Sequence, residues 1–240
     1  MDRRQALKTG LVLIATATSA SIYRPVQART YTGGTVWTSP LLARPQAVAA
    51  GSRVFFTQAE AGLLRAIHNR LIPADELGMS AVDAGCVTFV DHQLAGPYGR
   101  AATSYKLGPY RKGTPEQGNQ SPLTPAEIYR RGLAEFDVQC RRHSGGAFAS
   151  LPAGQQDAFL EAMEVGRVPF ESVDSNAFFA LLLQNVKEGY LADPVYGGNK
   201  DMVGWKMIGF PGARYDYRDY LDRIGKVIHI EPVSLLGRPA

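Results

Sequence analysis

LTPAEIYRRGLAEFDVQCRRHSGG, residues 123–146, is the stretch that decides the fold class, because it carries a complete set of helix signals. Thr124 is followed by Pro125 and, three residues later, by Glu127, which is the pattern of a capped helix start with proline in the first turn. Apolar residues then recur at helical spacing until Gly145-Gly146 stops the pattern. The stretch therefore predicts a long amphipathic helix. Its inner face is expected to carry Ile128, Leu133, Phe136 and Cys140.

Four further segments show helical patterns, and a short helix is expected near the end of the chain. Thr57 and Glu60 form a second capping box, and the helix that follows ends at Ile72-Pro73. The others are predicted at about 80–94, from near 152, at about 176–191 and near 202–207. Strand alternation is scarce, and 226–230 is the one candidate. The sequence predicts an all-α, irregular helical domain of about five or six helices with long ordered loops.

The amino terminus has the pattern of an export signal. Arg3 and Arg4 precede an uncharged, mildly apolar stretch, residues 9–23, which is shorter than the roughly 20 apolar residues that a membrane span needs. Leu7 and Lys8 also fit the twin-arginine (Tat) pattern. We therefore expect recognition by the Tat translocase and a periplasmic location. The competing interpretation is an N-terminal amphipathic helix with two solvated arginines.

The chain is expected to have three parts. Residues 1–28 form the export signal, residues 29–52 an extended arm or linker, and residues 53–240 a single helical domain. Asp2 and Ala6 depart from the Tat pattern, and small residues precede possible cuts after both 20 and 28. An uncut signal that serves as a membrane anchor also stays open. The arm carries Trp37, Leu41 and Leu42, so we expect it to pack against the body or a partner.

The charge of the mature chain excludes an electrostatic argument for nucleic-acid binding. The complete chain has 26 basic and 22 acidic residues. The predicted signal holds four of the basic residues and one of the acidic ones, so 22 and 21 remain, a net charge of +1. A nearly neutral surface lacks the basic patch that nucleic acids attract and tolerates association with other proteins.

Cys86 and Cys140 are the two cysteines. An exported protein meets an oxidising compartment, in which a disulfide is permitted. An internal bond would close a loop of about 55 residues and stabilise the fold by ~4 kcal/mol in the chain-entropy model. Alternatively, both are small buried hydrophobic residues, or one of them bridges to a partner subunit.

Motifs that would carry catalysis are missing from the sequence. It has no G-x-G-x-x-G after a strand, no P-loop and no G-x-S-x-G elbow. Cys-x-x-Cys-His, the attachment motif of c-type haem, is also absent. His68 lies near the apolar stripe of the first helix and is interpreted as a core or boundary residue. We therefore predict no catalytic, cofactor-binding or metal-binding residue in this chain.

The segment EGYLADPVYGGNKDMVGWKMIGFPGA, residues 188–213, is the most distinctive part of the sequence. Glycine and asparagine accept positive φ, so its Y-G-G-N run predicts a tight backbone turn, and Asp201 is a candidate cap for the next turn. Its aromatic residues are either anchors for a partner or part of the domain's own packing. The candidate partner surface consists of Tyr196, Gly197, Gly198, Asn199, Asp201, Trp205 and Phe210.

This segment resembles the signature region of the gluconate 2-dehydrogenase subunit 3 family, in the pattern D-P-x-Y-G-G-N-x-D-M-x-G-W-x-x-I-G-F-P-G. Three earlier blocks, F-F-T-x-A-E, L-I-P-A-D-E-L-G and D-H-Q-L-A-G-P, which lie within residues 55–97, are similar to that family in the same order. The resemblance extends over residues 53–215.

The resemblance implies a small subunit of a periplasmic, membrane-associated sugar-acid or polyol dehydrogenase. Its large subunit would carry FAD, and a cytochrome c subunit would carry haem c. This chain would bring the Tat signal for the complex and stabilise the flavoprotein without catalysing the reaction itself. Membrane association would come from the complex or from an uncut signal. Gluconate, another sugar acid, a sugar and a polyol all stay open as substrates. The rival interpretations are a free-standing exported helical binding or stress protein, and a hydrolase or metalloenzyme.

Overall fold

Six α-helices and four short 3-10 helices make up the regular structure of the described part of the chain. The computed structural model describes residues 45–237, apart from 105, 107, 112, 115, 116 and 118–120. The α-helices are α1 Gln58–Leu71, α2 Cys86–Ala95, α3 Pro125–Ser144, α4 Ala153–Glu164, α5 Ser175–Leu191 and α6 Val203–Ile208. The 3-10 helices are Phe148–Ser150, Pro194–Tyr196, Lys200–Met202 and Arg218–Tyr220.

The prediction of an all-α domain is confirmed, because the described residues contain isolated bridges but no strand. The candidate strand at 226–230 was wrong, since that stretch has no bridge partner. All six helices belong to one unit, Arg44–Ala240. The predicted signal, with Arg3, Arg4, Leu7 and Lys8, and residues 29–44 of the predicted arm lie outside the described residues. Within them, no helix is both long enough and apolar enough to cross a bilayer.

Local sequence signals set the starts of α1 and α3. Thr57 and Thr124 each accept a hydrogen bond from the backbone of the glutamate three residues later, and that glutamate returns one to the cap. This reciprocal pairing satisfies two backbone donors that a helix start leaves without partners. At the other end of α3, Gly145 adopts a left-handed conformation with φ 76°, as is common for a glycine cap.

The start of α2 differs from the prediction, which placed it near residue 80. Residues 81–85 form turns, and the helix begins only at Cys86. Gly85 has a φ of 84°, and a Cβ there would lie 2.4 Å from the carbonyl oxygen of Gly197. A glycine in the left-handed region interrupts the helix at this point because a distant segment requires the close approach.

The core is dominated by aromatic rings between α3, α4 and α5. Phe136 meets both Phe148 and Phe159 in edge-to-face contacts with ring centroids 5.0 Å apart. Tyr129 of α3 packs edge-on against Phe178 of α5 at 5.7 Å. Gly132 allows this approach, since a Cβ at that position would lie 2.7 Å from the Phe178 ring. These side chains are fully buried, and large rings of this kind supply much of a core's apolar burial.

The two cysteines do not form the internal disulfide that the sequence allowed. Both are free and fully buried. Cys86 packs in a small cluster with Val186 and Tyr190, whereas Cys140 belongs to the main aromatic core. Burial raises the pKa of Cys86 to about 12 and that of Cys140 to about 11, so neither is a reactive thiolate at neutral pH. Within the described residues they pack as small hydrophobic side chains, which was one of the two alternatives to an internal bond.

Candidate partner interface

A buried carboxylate fastens the start of the helical body to α2. Asp91 is fully buried. Its oxygens accept hydrogen bonds from the backbone N–H groups of Val54 at 2.6 Å, Phe55 at 3.1 Å and Phe56 at 2.7 Å. Such charge-assisted bonds to backbone donors are among the stronger ones in proteins. Asp91 therefore fixes the path of the chain just before α1.

The last residues of the predicted arm continue this attachment. The Ser52 hydroxyl lies 2.8 Å from Nε2 of His92, which follows Asp91 on α2. Further upstream, the N–H of Val48 donates to the carbonyl oxygen of Val195 at 3.0 Å. Residues 48–56 thus contact first the segment after α5, through Val48, and then α2, through Ser52 and residues 54–56. Sequence reasoning missed Asp91, although a carboxylate between Val90 and Leu94 on an otherwise apolar helix face was a visible signal.

Residues 193–212, here called the glycine-rich segment, pack against α5 and contain a strained turn at residues 199–202. Asn199, Asp201 and Met202 all have positive φ, between 46° and 56°. Asn199 is fully buried, and its side chain donates to the carbonyl oxygen of Ala192 and accepts from the N–H of Gly204, both at 2.8 Å. These two bonds tie the ends of the turn together and offset the cost of the left-handed backbone.

Two glycines of this segment are required by its closeness to α5. A Cβ at Gly198 would lie 2.2 Å from the carbonyl oxygen of Gly189, and one at Gly204 would lie 2.1 Å from that of Tyr190. The prediction of a tight backbone turn for this run agrees with these contacts. Asp201 does not cap α6, because Met202 occupies the cap position and the side chain that bonds the first turn of the helix is that of Asn199.

Trp205 belongs to the interior of the domain. It is 5% exposed, and its indole Nε1 donates to the carbonyl oxygen of Leu191 at 2.7 Å. It cannot serve as an exposed anchor, and the same holds for buried Asn199 and Gly198. For these residues the interpretation as the domain's own packing is the correct one. Helical periodicity in the sequence could not show which of these residues are buried, because the short α6 has apolar residues on several sides.

Other apolar residues of the same segment do face outward. Phe210 lies edge-on against Trp205, with ring centroids 5.2 Å apart, yet is 44% exposed. Tyr196, Met207 and Ile208 are exposed to a similar extent. Trp205 thus supports the ring of Phe210, and four half-exposed apolar side chains of the segment are available for contact. Clusters of this kind are typical of protein-binding surfaces.

A cavity of about 400 Å³ lies between the end of the predicted arm and the glycine-rich segment. Its wall includes the turn before α2 and carries two cations and two carboxylates, namely Arg65, Lys200, Asp83 and Asp201. The N–H of Lys200 donates to the carbonyl oxygen of Ala84 at 3.0 Å, which closes one side. Because this wall carries both positive and negative side chains, it could form ion pairs or hydrogen bonds with another chain.

Histidine, cysteine and carboxylate side chains do not gather anywhere in the described residues into a group of three that could hold a metal ion. His68 of α1 is fully buried, as expected for a core residue. Neither of its ring nitrogens has a hydrogen-bond partner among the described residues. Burial lowers the pKa of His68 to about 3, so the imidazole is neutral in the folded protein.

A conservative substitution tests the structural role of Trp205. Trp205→Phe keeps one aromatic ring but removes part of the buried indole and its bond to the carbonyl of Leu191, so we expect a loss of at least about 1–2 kcal/mol in the free energy of unfolding. Ile208→Ala, at an exposed position of the same helix, should change it by less than ~0.5 kcal/mol. Chemical denaturation measures both. Equal stability of the two variants would show that Trp205 is not a packing residue.

One family matches the chain across the helices and the glycine-rich segment. The family described as gluconate 2-dehydrogenase subunit 3 matches residues 58–212. The match begins at Gln58, the first residue of α1, and ends at Gly212, the last residue of the glycine-rich segment. No curated protein and no solved structure matches the chain. Because the match covers well over half of the sequence, the chain belongs to the gluconate 2-dehydrogenase subunit 3 family.

Proposed function

We propose that this chain is a non-catalytic accessory subunit of a periplasmic, FAD-dependent dehydrogenase of the gluconate 2-dehydrogenase type. The observation that carries the proposal is the family match over residues 58–212, which supports a place for the chain among the subunits of a gluconate 2-dehydrogenase complex. The large subunit would bind FAD and oxidise the substrate, and a cytochrome c subunit would hold haem c. The electron chemistry would belong to those cofactors, and this chain would supply binding and positioning.

The accessory role has two parts. In the first, Arg3 and Arg4 recruit the Tat translocase, so that the folded flavoprotein crosses the membrane together with this chain. In the second, the chain stabilises the flavoprotein by binding it. Association with a partner stabilises the bound folded state by mass action, without any change in the partner's own sequence. The exposed apolar side chains of the glycine-rich segment, Phe210 and Tyr196 among them, support the second part, since they offer apolar contact area.

An export experiment tests the first part directly. This chain is co-expressed with the flavoprotein subunit, and Arg3→Lys/Arg4→Lys is compared with the wild type. We expect periplasmic dehydrogenase activity to fall at least tenfold, because the Tat translocase reads the arginine pair. Arg24→Lys/Arg29→Lys makes the same chemical change outside the pair and should leave export unchanged. Full periplasmic activity with the first variant would refute the carrier role.

The rival function is a free-standing exported helical binding or stress protein. Size-exclusion chromatography of a native periplasmic extract separates the two. An accessory subunit should elute with the flavoprotein, well above the 26.1 kDa of the chain alone. Elution of all of it as a monomer would favour the rival.

A further inference from the structure

Residues 213–233, here called the C-terminal loop, leave and re-enter the body at one point. Gly212 and Val233 form a parallel bridge, and the N–H of Ala213 donates to the carbonyl oxygen of Val233 at 2.6 Å. Just beyond, the Ser234 hydroxyl and the N–H of Leu235 both donate to the carboxylate of Asp193 at 2.8 Å. The base of the loop is therefore fixed to the glycine-rich segment.

Interactions within the loop give it a defined shape. The guanidinium of Arg214 lies over the rings of Tyr217 and Tyr220, at 5.7 and 5.1 Å from their centroids. Its Nε donates to the carbonyl oxygen of Asp216 at 2.9 Å. A short 3-10 helix, Arg218–Tyr220, follows. Cation–aromatic stacking and a closed base hold the loop together without a core of its own.

The tip of the loop exposes its apolar side chains. Ile224 is 91% exposed and Val227 87%, and Leu221 is also largely in solvent. Long loops without strands or α-helices are uncommon in compact domains and usually carry a function. A group of large apolar residues that the domain itself leaves uncovered marks a contact with another molecule.

The charges of the loop indicate what that molecule is. The loop has four basic and four acidic residues: Arg214, Arg218, Arg223, Lys226, Asp216, Asp219, Asp222 and Glu231. A loop without net charge has no net electrostatic attraction to an anionic lipid surface or to nucleic acid. At the tip, however, Arg223 and Lys226 stand beside Ile224 and Val227. That arrangement complements an apolar recess with a rim of carboxylates on a folded protein.

We propose that the C-terminal loop is the element by which this chain recognises its own large subunit, with Ile224 and Val227 entering an acid-rimmed apolar recess. The proposal rests on the function proposed above, in which a flavoprotein subunit binds this chain. The family match ends at Gly212, so the loop lies outside the part that the family describes. Its base nevertheless adjoins the half-exposed Phe210, so one partner can cover both. In this proposal the glycine-rich segment supplies a general contact surface, and the C-terminal loop makes the contact selective for the chain's own large subunit.

The test uses the full chain, tagged and co-expressed with the flavoprotein subunit. Ile224→Asp/Val227→Asp is compared with Val138→Asp/Val165→Asp, which makes the same change at two exposed apolar positions of the helical body. All four positions are exposed, so both variants should fold, and the unfolding transition of each isolated chain checks this. We expect the loop variant to retain at most a tenth of the flavoprotein, measured by flavin absorbance per tagged chain. The body variant should retain the wild-type amount.

Further measurements separate the other outcomes. Equal flavin recovery by the loop variant would overturn the loop proposal and leave the accessory function intact. Failure of the wild type to retain any flavoprotein would instead refute the proposed function. Light scattering of the isolated chain and sedimentation with vesicles containing anionic lipid complete the test. A dimer that the loop variant abolishes, or vesicle binding that it abolishes, would assign the loop to a second copy or to a lipid surface and so overturn the proposal.

Discussion

Asp91→Ala is expected to lower the free energy of unfolding by roughly 3–4 kcal/mol. The carboxylate accepts bonds from three successive backbone N–H groups, at residues 54, 55 and 56, and has no exposed surface. Hydrogen bonds to a charged group contribute about 1.5–3 kcal/mol each, but Val54 is exposed and water can replace its bond. Phe56 is buried, so its donor would be left without a partner. Guanidinium chloride denaturation of the full chain measures the loss.

Two further variants identify the source of that loss. Asp91→Asn keeps one acceptor but turns an amide donor towards other donors, so most of the destabilisation should remain. Ser52→Ala removes the contact with His92 and the exposed bond to the carbonyl oxygen of Ala49, and it should cost about 1 kcal/mol. If Asp91→Ala lowered the free energy of unfolding by no more than a surface substitution does, the carboxylate would not hold residues 54–56 against α2.

The starts of α1 and α3 could be predicted from the sequence because their causes are local. In each, threonine and glutamate three residues apart satisfy the same backbone donors, whatever surrounds them. The start of α2 could not, because its cause lies elsewhere in the chain. Gly85 must remain without a side chain since the carbonyl of Gly197, more than a hundred residues later, occupies the space. A tertiary contact of this kind leaves no periodic signal in the sequence.

In the candidate interface too, local features could be predicted from the sequence and tertiary contacts could not. The Y-G-G-N run was recognisable because positive φ has its own residue preferences. Whether Trp205 or Phe210 faces outward depends on the carbonyl of Leu191, which holds the indole inside. The two aromatic residues are equivalent in a sequence pattern and differ only in what α5 presents to them. For the same reason the Asp91 fastening was missed, since its partners are backbone groups that no residue type reveals.

A loss of stability at mildly acidic pH is expected from His68. Its pKa is about 3 in the folded chain because burial disfavours the charged imidazole, against about 6.5 when unfolded. Between these values the unfolded state binds a proton that the folded state does not. The free energy of unfolding therefore falls as pH decreases, by at most ~1.4 kcal/mol per pH unit and by about 2 kcal/mol from pH 7 to pH 5. Well above pH 6.5 neither state binds the proton, and the contribution vanishes.

His68→Leu isolates this contribution, since leucine fills a similar volume and carries no titratable group. The two ring nitrogens have no partner among the described residues, so at pH 7 the variant should be about 1–2 kcal/mol more stable than the wild type. That difference should widen by a further ~2 kcal/mol at pH 5. His229→Leu, at an exposed position, should follow the wild-type pH profile. A constant difference between His68→Leu and the wild type from pH 7 to pH 5 would mean that His68 is protonated inside the folded protein, and so must find an acceptor there.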